Sequence, residues 1–152
     1  MSPSSGSDLL VVDASVAAKW YVPEELSQEA SRILEAGARG EARLVAPSLL
    51  GPELGNVLWH RHRRGDVSQE RVREAWAAFE AAPLSFIEMG RLMPAALEVA
   101  LACGCTVYDG LYVALAEARR DEAATLLTAD RKLVARLAGT PFAQAARMLG
   151  EQ

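Results

Sequence analysis

The chain is poor in the residues that mark specialised protein classes. It contains 2 cysteines and 2 histidines in 152 residues, and aromatic residues make up 6% of it. Cys103 and Cys105 lie either side of Gly104, a spacing that suits neither a disulfide framework nor the usual zinc sites. We interpret both cysteines as small, buried, apolar residues of a protein in a reducing compartment.

Long apolar runs are also missing. The apolar run after Asp8 covers only residues 9–12, and the uncharged residues 99–108 are far fewer than the roughly 20 that a membrane-spanning helix needs. Residues 1–7 are rich in Ser, Pro and Gly and do not form a signal peptide. We expect a cytoplasmic protein with no membrane contact, a flexible segment over residues 1–7 and one domain over residues 8–150.

The chain has no excess of basic residues. Its 16 Lys and Arg against 20 Asp and Glu give a net charge of −4 and a pI near 5.2. This balance argues against broad, nonspecific binding of nucleic acid, but it leaves room for a local basic rim at Arg61, Arg63 and Arg64. The same three residues equally suit a solvated helix face.

What the sequence does contain is an alternation of strand-like and helix-like segments. Apolar residues recur at helical spacing between short β-prone runs, and Ser48 and Ser68 are expected N-caps of two helices. This alternation predicts an α/β fold of three layers, in which a mostly parallel sheet of about five short strands is flanked by helices. The expected strands lie near residues 9–12, 44–46, 84–87, 125–128 and 141–143.

Acidic residues occur where strand-like runs pass into helices or in an early helical turn. They are Asp13, Glu53, Asp109 and Asp130. In an alternating α/β chain these junctions share one edge of the sheet, so the carboxylates are expected to meet. Two like charges about 4 Å apart repel by roughly 4 kcal/mol near a protein surface. The cluster therefore indicates a divalent cation, and an all-oxygen set favours Mg²⁺ or Mn²⁺ over zinc or copper.

Each of these acids also has a simpler explanation. Asp13, Asp109 and Asp130 are all good helix N-caps. Glu53 lies inside a helix beside an apolar stripe, where an ionised carboxylate needs a partner, and an ion pair with Lys19 or an arginine would supply one. Metal ligation accounts for the four residues together.

Two other folds that gather acids at sheet edges fit less well. A haloacid-dehalogenase-type phosphatase needs a second Asp two residues after the first, and Ser15 stands there. A response-regulator receiver needs adjacent acids after its first strand and a late lysine at a strand end, and we find neither pattern in the sequence.

The segments around the acids resemble a known family. They are VVDASVAAKW at residues 11–20, PSLLGPELGNVL at 47–58, YDGLYVALA at 108–116 and LTADRKL at 127–133. In this order they resemble the PIN-domain ribonucleases, and within them the toxin subunit of bacterial VapBC toxin–antitoxin pairs. The resemblance spans residues 9 to about 137, which is nearly the whole chain.

This resemblance implies a PIN fold, an Mg²⁺- or Mn²⁺-dependent endoribonuclease activity, a cognate antitoxin encoded alongside, and a homodimer. Gly110 stands where relatives more often have alanine, which predicts a looser first turn of its helix. The family's acidic positions fall on Asp13, Glu53, Asp109 and Asp130, and its supporting polar positions fall on Ser15, Asn56 and Thr128.

The four carboxylates are expected to have different roles in metal binding. Asp13 and Asp109 are the expected direct ligands, and Glu53 is expected as a ligand or as the base that orients the attacking water. Asp130 is expected to bind a second ion or to act through water.

Other side chains are expected to support the carboxylates or to hold RNA. Ser15 and Thr128 would hold carboxylates or the scissile phosphate by hydrogen bonds, and Asn56 would orient Glu53. The residues expected to contact the RNA backbone are Lys19, Arg131 and Lys132.

Two questions stay open from the sequence. Trp59, Trp76 and Phe79 either pack against each other or form part of an exposed patch for a self-dimer and an antitoxin helix. The main alternative function is a PIN scaffold that binds RNA or a protein partner without cutting.

Overall fold

The sheet at the centre of the molecule has five strands, all parallel. In this computed structural model, which describes residues 6–151, the strand order is β3-β2-β1-β4-β5. The strands are β1 Asp8–Val12, β2 Ala42–Pro47, β3 Leu84–Ile87, β4 Thr125–Thr128 and β5 Ala146–Met148. The predicted fold class is confirmed, with a sheet that is wholly parallel. Most of the predicted flexible segment 1–7 lies outside the described residues.

Within the described residues, seven helices cover the two faces of this sheet. They are α1 Ala14–Tyr21, α2 Ser27–Ala38, α3 Leu50–Arg63, α4 Gln69–Glu80, α5 Met93–Cys103, α6 Val107–Ala118 and α7 Arg131–Leu137. Successive residues of a strand point to opposite faces. Leu9 and Val11 accordingly join the larger core with α3 to α7, whereas Leu10 and Val12 join a smaller core with Ala30 of α2.

Helix ends follow the predicted signals in most places. The Ser68 hydroxyl accepts a hydrogen bond from Arg71 N at 3.0 Å and caps α4. Gly104 ends α5 in the left-handed region with φ 70°. The predicted Ser48 cap is wrong, because α3 begins after Leu49 and the Ser48 hydroxyl instead accepts from Met89 N at 3.3 Å.

The last strand lies later than predicted. Residues 141–143 form a turn and the start of a 3-10 helix rather than an edge strand, and Ala146–Met148 pairs with β4 instead. Three residues are a weak signal in sequence, because pairing with β4 rather than local propensity decides the strand.

Helices α5 and α6 cross with their backbones in close contact. A Cβ on Gly110 would lie 2.5 Å from the Ala96 carbonyl oxygen, so only glycine fits at this crossing. Gly110 is therefore explained by packing and does not loosen α6, whose first turn is capped by Thr106 through Asp109 N at 3.1 Å.

The two cysteines flank the turn between these helices. Cys103 and Cys105 are free thiols that pack, partly buried, against the larger core. The Cys103 thiol donates a hydrogen bond to the Thr140 hydroxyl at 3.6 Å. Their apolar packing is as predicted, but they are only partly buried because the turn lies at the surface.

No single helix within residues 6–151 is long and apolar enough to cross a membrane. The segments Met89–Cys103 and Val107–Ala118 reach the required length and apolarity only as a pair, and they are bent by 112°.

Candidate active site

The predicted acids lie at the carboxyl edge of the parallel sheet, on four different elements. Asp13 directly follows β1, and Asp130 follows the neighbouring β4. Glu53 lies in the first turn of α3, and Asp109 lies in the first turn of α6. This is the edge at which open α/β folds bind ligands.

Asp13 is the most enclosed of these acids, with 7% of its surface exposed. Its Oδ1 accepts hydrogen bonds from the Ser15 hydroxyl at 2.5 Å and from Val16 N at 3.2 Å. The second contact caps α1, so the simpler interpretation of Asp13 as an N-cap also holds. Both of these hydrogen bonds use the same oxygen.

Ser15 joins the ends of the neighbouring strands β1 and β4. Its hydroxyl donates to Asp13 and accepts from Ala129 N at 2.8 Å, and it lies 3.4 Å from the Thr128 hydroxyl. Thr128 is fully buried and accepts from Asp130 N at 3.0 Å. Ser15 thus contacts the Asp13 carboxylate directly, and Thr128 contacts the backbone of Asp130. Their supporting roles in the reaction stay predictions.

Asp130 caps α7 in the manner of Asp13 on α1. Its Oδ1 accepts from Lys132 N at 3.0 Å and from Leu133 N at 3.2 Å. As with Asp13, capping fixes one oxygen of the side chain, so the interpretations as a cap and as a site residue are compatible.

Glu53 has a partner that the sequence analysis missed. The Tyr112 hydroxyl donates to Glu53 Oε1 at 2.5 Å, which links α6 to α3. The predicted ion pair with Lys19 is not formed, because the Lys19 ammonium binds Glu24 Oε1 at 3.3 Å and the Glu25 carbonyl at 2.7 Å. Between residues 6 and 151, no cationic side chain forms an ion pair with Glu53.

One feature of the sequence indicates that Tyr112 belongs to the site. It lies three residues after Asp109 on the apolar face of α6, and a buried tyrosine needs a partner for its hydroxyl. Its surface is 2% exposed. Asn56 does not fill this role, since it is exposed and makes no side-chain hydrogen bond to Glu53 within the described chain.

The carboxylates raise one another's pKa. Burial raises the pKa of Asp13 to about 6, and the charge of Asp109 adds to the shift, although hydrogen bonds from Ser15, Thr128 and Val16 oppose it. Burial also raises the pKa of Glu53, with Asp13 and Asp109 adding to it. The pKa of Asp109 is raised by burial and by Asp130. The acids therefore share one electrostatic environment in which negative charge outweighs positive charge.

The carboxylate oxygens of the site are suitable ligands for a hard dication, although their present positions do not form a complete metal site. As the side chains stand, no three His, Cys, Asp or Glu residues within 6–151 lie close enough to hold a metal ion. Mg²⁺, however, keeps several waters and is commonly held by only one or two carboxylates. Carboxylate oxygens without cationic partners are the ligands it needs, and Asp13, Glu53 and Asp109 supply them.

The predicted RNA-binding residues fall into two groups. Lys19 is engaged with Glu24 and is largely buried, so its ammonium does not face the acidic cluster freely. Arg131 and Lys132 are exposed at the start of α7, and Lys132 lines a pocket with Asp109 and Asp130.

The aromatic residues of α3 and α4 divide between core and surface. Phe79 is buried and its ring lies 5.3 Å from that of Trp76, which is half-buried over Gly51 and Gly55. Trp59 is 51% exposed. Phe79 and Trp76 therefore pack against each other, whereas Trp59 forms part of an exposed surface.

Known proteins share this architecture and much of this sequence. Residues 10–139 match the PIN domain family. Ribonuclease VapC3 of Pyrobaculum aerophilum is 39% identical over 128 residues, which covers 82% of this chain and 91% of that protein.

Solved structures agree with this result. The crystal structure of PAE2754 from Pyrobaculum aerophilum has a TM-score of 0.63 and 25% identity, over 89% of this chain and 85% of that one. A toxin-antitoxin complex from Klebsiella pneumoniae has a TM-score of 0.59 over 94% of this chain and 99% of that one, and at 15% identity it shows the fold alone. With a match over residues 10–139 and a VapC ribonuclease at 39% identity, this chain belongs to the PIN domain family as a VapC-type member.

Proposed function

We propose that this protein is an endoribonuclease that hydrolyses RNA phosphodiester bonds with the help of Mg²⁺ or Mn²⁺. The proposal depends most on one observation: Asp13, Glu53 and Asp109 share one edge of the sheet with raised pKa values and without an ion pair among residues 6–151. An arrangement of this kind costs stability, and function is the common reason for such a cost. The similarity to Ribonuclease VapC3 supports RNA as the substrate.

The metal would be held by Asp13 and Asp109, with Glu53 as a third ligand or as the base and Asp130 acting through water or on a second ion. When bound, such an ion makes water a better nucleophile and offsets negative charge on the leaving oxygen. Ser15 and Val16 hold Asp13 in position through hydrogen bonds to its Oδ1.

Glu53 is held in place from the opposite side of the site. The Tyr112 hydroxyl occupies Oε1 and stabilises the ionised form, so Oε2 is free to accept a proton from the attacking water. Ser15 and Thr128 keep the ends of β1 and β4 together, which maintains the distance between Asp13 and Asp130.

A cleavage assay tests this function. Purified protein is incubated with a mixed-sequence RNA and Mg²⁺, Mn²⁺ or EDTA, and fragments are resolved on a denaturing gel. We expect cleavage with either metal, none with EDTA, and none for Asp13→Asn. A protein that binds RNA but leaves it intact under all conditions would be the non-cleaving scaffold instead.

The toxin role includes a cognate antitoxin as inhibitor, and the surface of α3 and α4 provides a groove for it. The first part of the groove is apolar, has a volume of about 420 Å³ and is lined by Pro52, Leu58, Val72 and Trp76. The groove continues past Val72 into a second part of about 440 Å³ beside Trp59.

The far end of this groove is basic. Arg63 lies 5.8 Å over the Trp59 ring, and Arg73 lines the same stretch. Neither arginine forms an ion pair with another part of the described chain. The groove therefore suits an amphipathic segment with apolar anchors and an acidic end. We also propose that the protein forms a single domain over residues 8–150, assembles as a homodimer and is located in the cytoplasm.

A further inference from the structure

The pocket that Lys132 shares with Asp109 and Asp130 is lined by both acidic and basic side chains. It has a volume of about 280 Å³ and lies between the turn that joins α5 to α6 and the exposed face of α7. Asp109 and Asp130 line it together with Lys132 and Arg136. Acidic and basic side chains therefore border the same space.

The two cations share one face of α7. Residues four positions apart in a helix are neighbours on its surface, so Lys132 and Arg136 stand side by side. Both are exposed, and neither forms an ion pair within residues 6–151. Lys19 and Arg61, by contrast, are both bound to Glu24 and have their charge neutralised.

Arg136 is held in position across the pocket. Its Nη1 donates a hydrogen bond to the Gly104 carbonyl, in the left-handed turn that ends α5. A guanidinium has five N–H donors, so most of them stay free for another acceptor. Arg136 and Asp109 line the same pocket, so the charge of the guanidinium lies beside the acidic cluster.

We propose that Lys132 and Arg136 form a phosphate-binding subsite that holds the RNA backbone beside the bond to be cut. Planar N–H donors and an ammonium are the groups that bind phosphate oxygens. The carboxylates repel RNA until a cation is bound, so adjacent fixed positive charge gives the substrate a point of attachment. The inference rests on the proposed nuclease function and adds Arg136, which the sequence analysis did not single out.

The test compares Arg136→Gln and Lys132→Gln with a matched control variant, Arg32→Gln. Arg32 is an exposed arginine of α2, which packs on the other face of the sheet. Each of the three variants loses one positive charge, so a difference between them reports where the charge lies rather than the net charge of the protein.

Cleavage of a labelled RNA with Mn²⁺ is measured over a series of KCl concentrations. For Arg136→Gln and Lys132→Gln we expect KM to rise about tenfold with kcat changed by less than about threefold. The slope of log(kcat/KM) against log[KCl] should become less negative by about 0.7 for each lost phosphate contact. Arg32→Gln should match the wild type in both quantities.

Arg136→Lys separates phosphate binding from a structural role at the Gly104 turn. It keeps the charge that attracts phosphate but loses the planar fork of donors, so we expect the salt slope to return to wild type and KM to recover in part. If Arg136→Lys is as impaired as Arg136→Gln, or if both variants lose thermal stability, the role is structural and the inference is overturned. An unchanged KM and salt slope in Arg136→Gln would overturn it as well.

Binding is measured separately, so that the inference does not depend on cleavage. In an Asp13→Asn background, fluorescence anisotropy of the labelled RNA should show about tenfold weaker binding when Arg136→Gln is added, and no change when Arg32→Gln is added. A wild type that fails to cut RNA refutes the proposed function, whereas equal binding by the Arg136→Gln and Arg32→Gln proteins refutes the subsite.

Discussion

The Tyr112 hydroxyl donates a hydrogen bond to Glu53 Oε1 at 2.5 Å and so fixes the carboxylate of α3 against the buried face of α6. This contact lowers the pKa of Glu53, whereas burial and the charges of Asp13 and Asp109 raise it. Tyr112 therefore holds Glu53 in position and favours its ionised form.

Tyr112→Phe removes that donor and should reduce kcat about 10- to 100-fold. Because the hydrogen bond favours the carboxylate, its loss raises the pKa of Glu53 further, and the acidic limb of the pH–rate profile should move to higher pH. The matched control is Tyr108→Phe, which changes a 62% exposed tyrosine of the same helix. An unshifted profile with normal kcat would show that Tyr112 has no part in the reaction.

Asp13→Asn should stabilise the metal-free protein at neutral and alkaline pH. Burial raises the pKa of Asp13 from its ordinary 3.8 to about 6, so the folded state holds its proton more tightly than the unfolded state. The wild type therefore loses stability as the pH rises from about 4 to above 6, by up to roughly 3 kcal/mol. The variant lacks this loss.

Urea unfolding in EDTA at pH 4 and pH 8 measures the effect. We expect the two proteins to differ little at pH 4 and the variant to be the more stable at pH 8. Added Mn²⁺ should stabilise the wild type and not the variant, because only the wild type gains from ion binding. A wild type that is the more stable protein at pH 8 in EDTA would contradict the assigned cost of the buried charge.

Gly110→Ala should destabilise the fold. The new Cβ would lie 2.5 Å from the Ala96 carbonyl oxygen, and overpacking of this kind costs about 1–3 kcal/mol. Gly55→Ala is the matched control, since its Cβ would meet only the Trp76 ring at 3.8 Å and alanine favours a helix. Thermal unfolding of both variants should show a lower midpoint for Gly110→Ala alone, and equal midpoints would disprove the close crossing of α5 and α6.

Trp59→Ala should weaken inhibition by the antitoxin without affecting RNA cleavage. A tryptophan in a docking surface commonly contributes about 2 kcal/mol to binding, which is about 30-fold in affinity. Leu101→Ala is the control, because Leu101 is 79% exposed but lies on α5. Titration of the cleavage reaction with the antitoxin encoded alongside gives the affinity of each variant for the antitoxin. A greater effect of Leu101→Ala would indicate that the antitoxin docks on α5 instead.

The sequence predicts the parallel sheet, apart from its last strand, and the edge at which the four acids lie, for a physical reason. The roles of the four acids stay predictions. In a parallel α/β fold every strand ends at the same edge, so the positions of Asp13 and Asp130 after apolar runs already imply that they are close. Glu53 was identified because a carboxylate beside an apolar stripe needs a partner.

The partners of these acids were harder to predict, because they depend on how helices approach each other. Asn56 was expected to orient Glu53, but it lies two residues from both Leu54 and Leu58, which are buried, and therefore points away from the core. Tyr112 is 59 residues from Glu53 in the chain and becomes its neighbour only when α6 packs against α3.

Lys19 shows the same limit. Its charge suggested a contact with RNA, yet Glu24, which follows α1, binds it and also binds Arg61 at 2.5 Å. Tertiary packing determines where the Glu24 carboxylate lies relative to Lys19 and Arg61. Sequence patterns therefore do not reveal which basic residues stay without an acidic partner.

Crystals of the wild type grown with Mn²⁺ test the metal site most directly, through anomalous difference density at the manganese edge. We predict a peak among Asp13, Glu53 and Asp109 that is lost in Asp13→Asn crystals grown in the same way. A wild-type map without a peak there, or with these carboxylates bound to arginines instead, would show that the acidic cluster does not hold a metal ion.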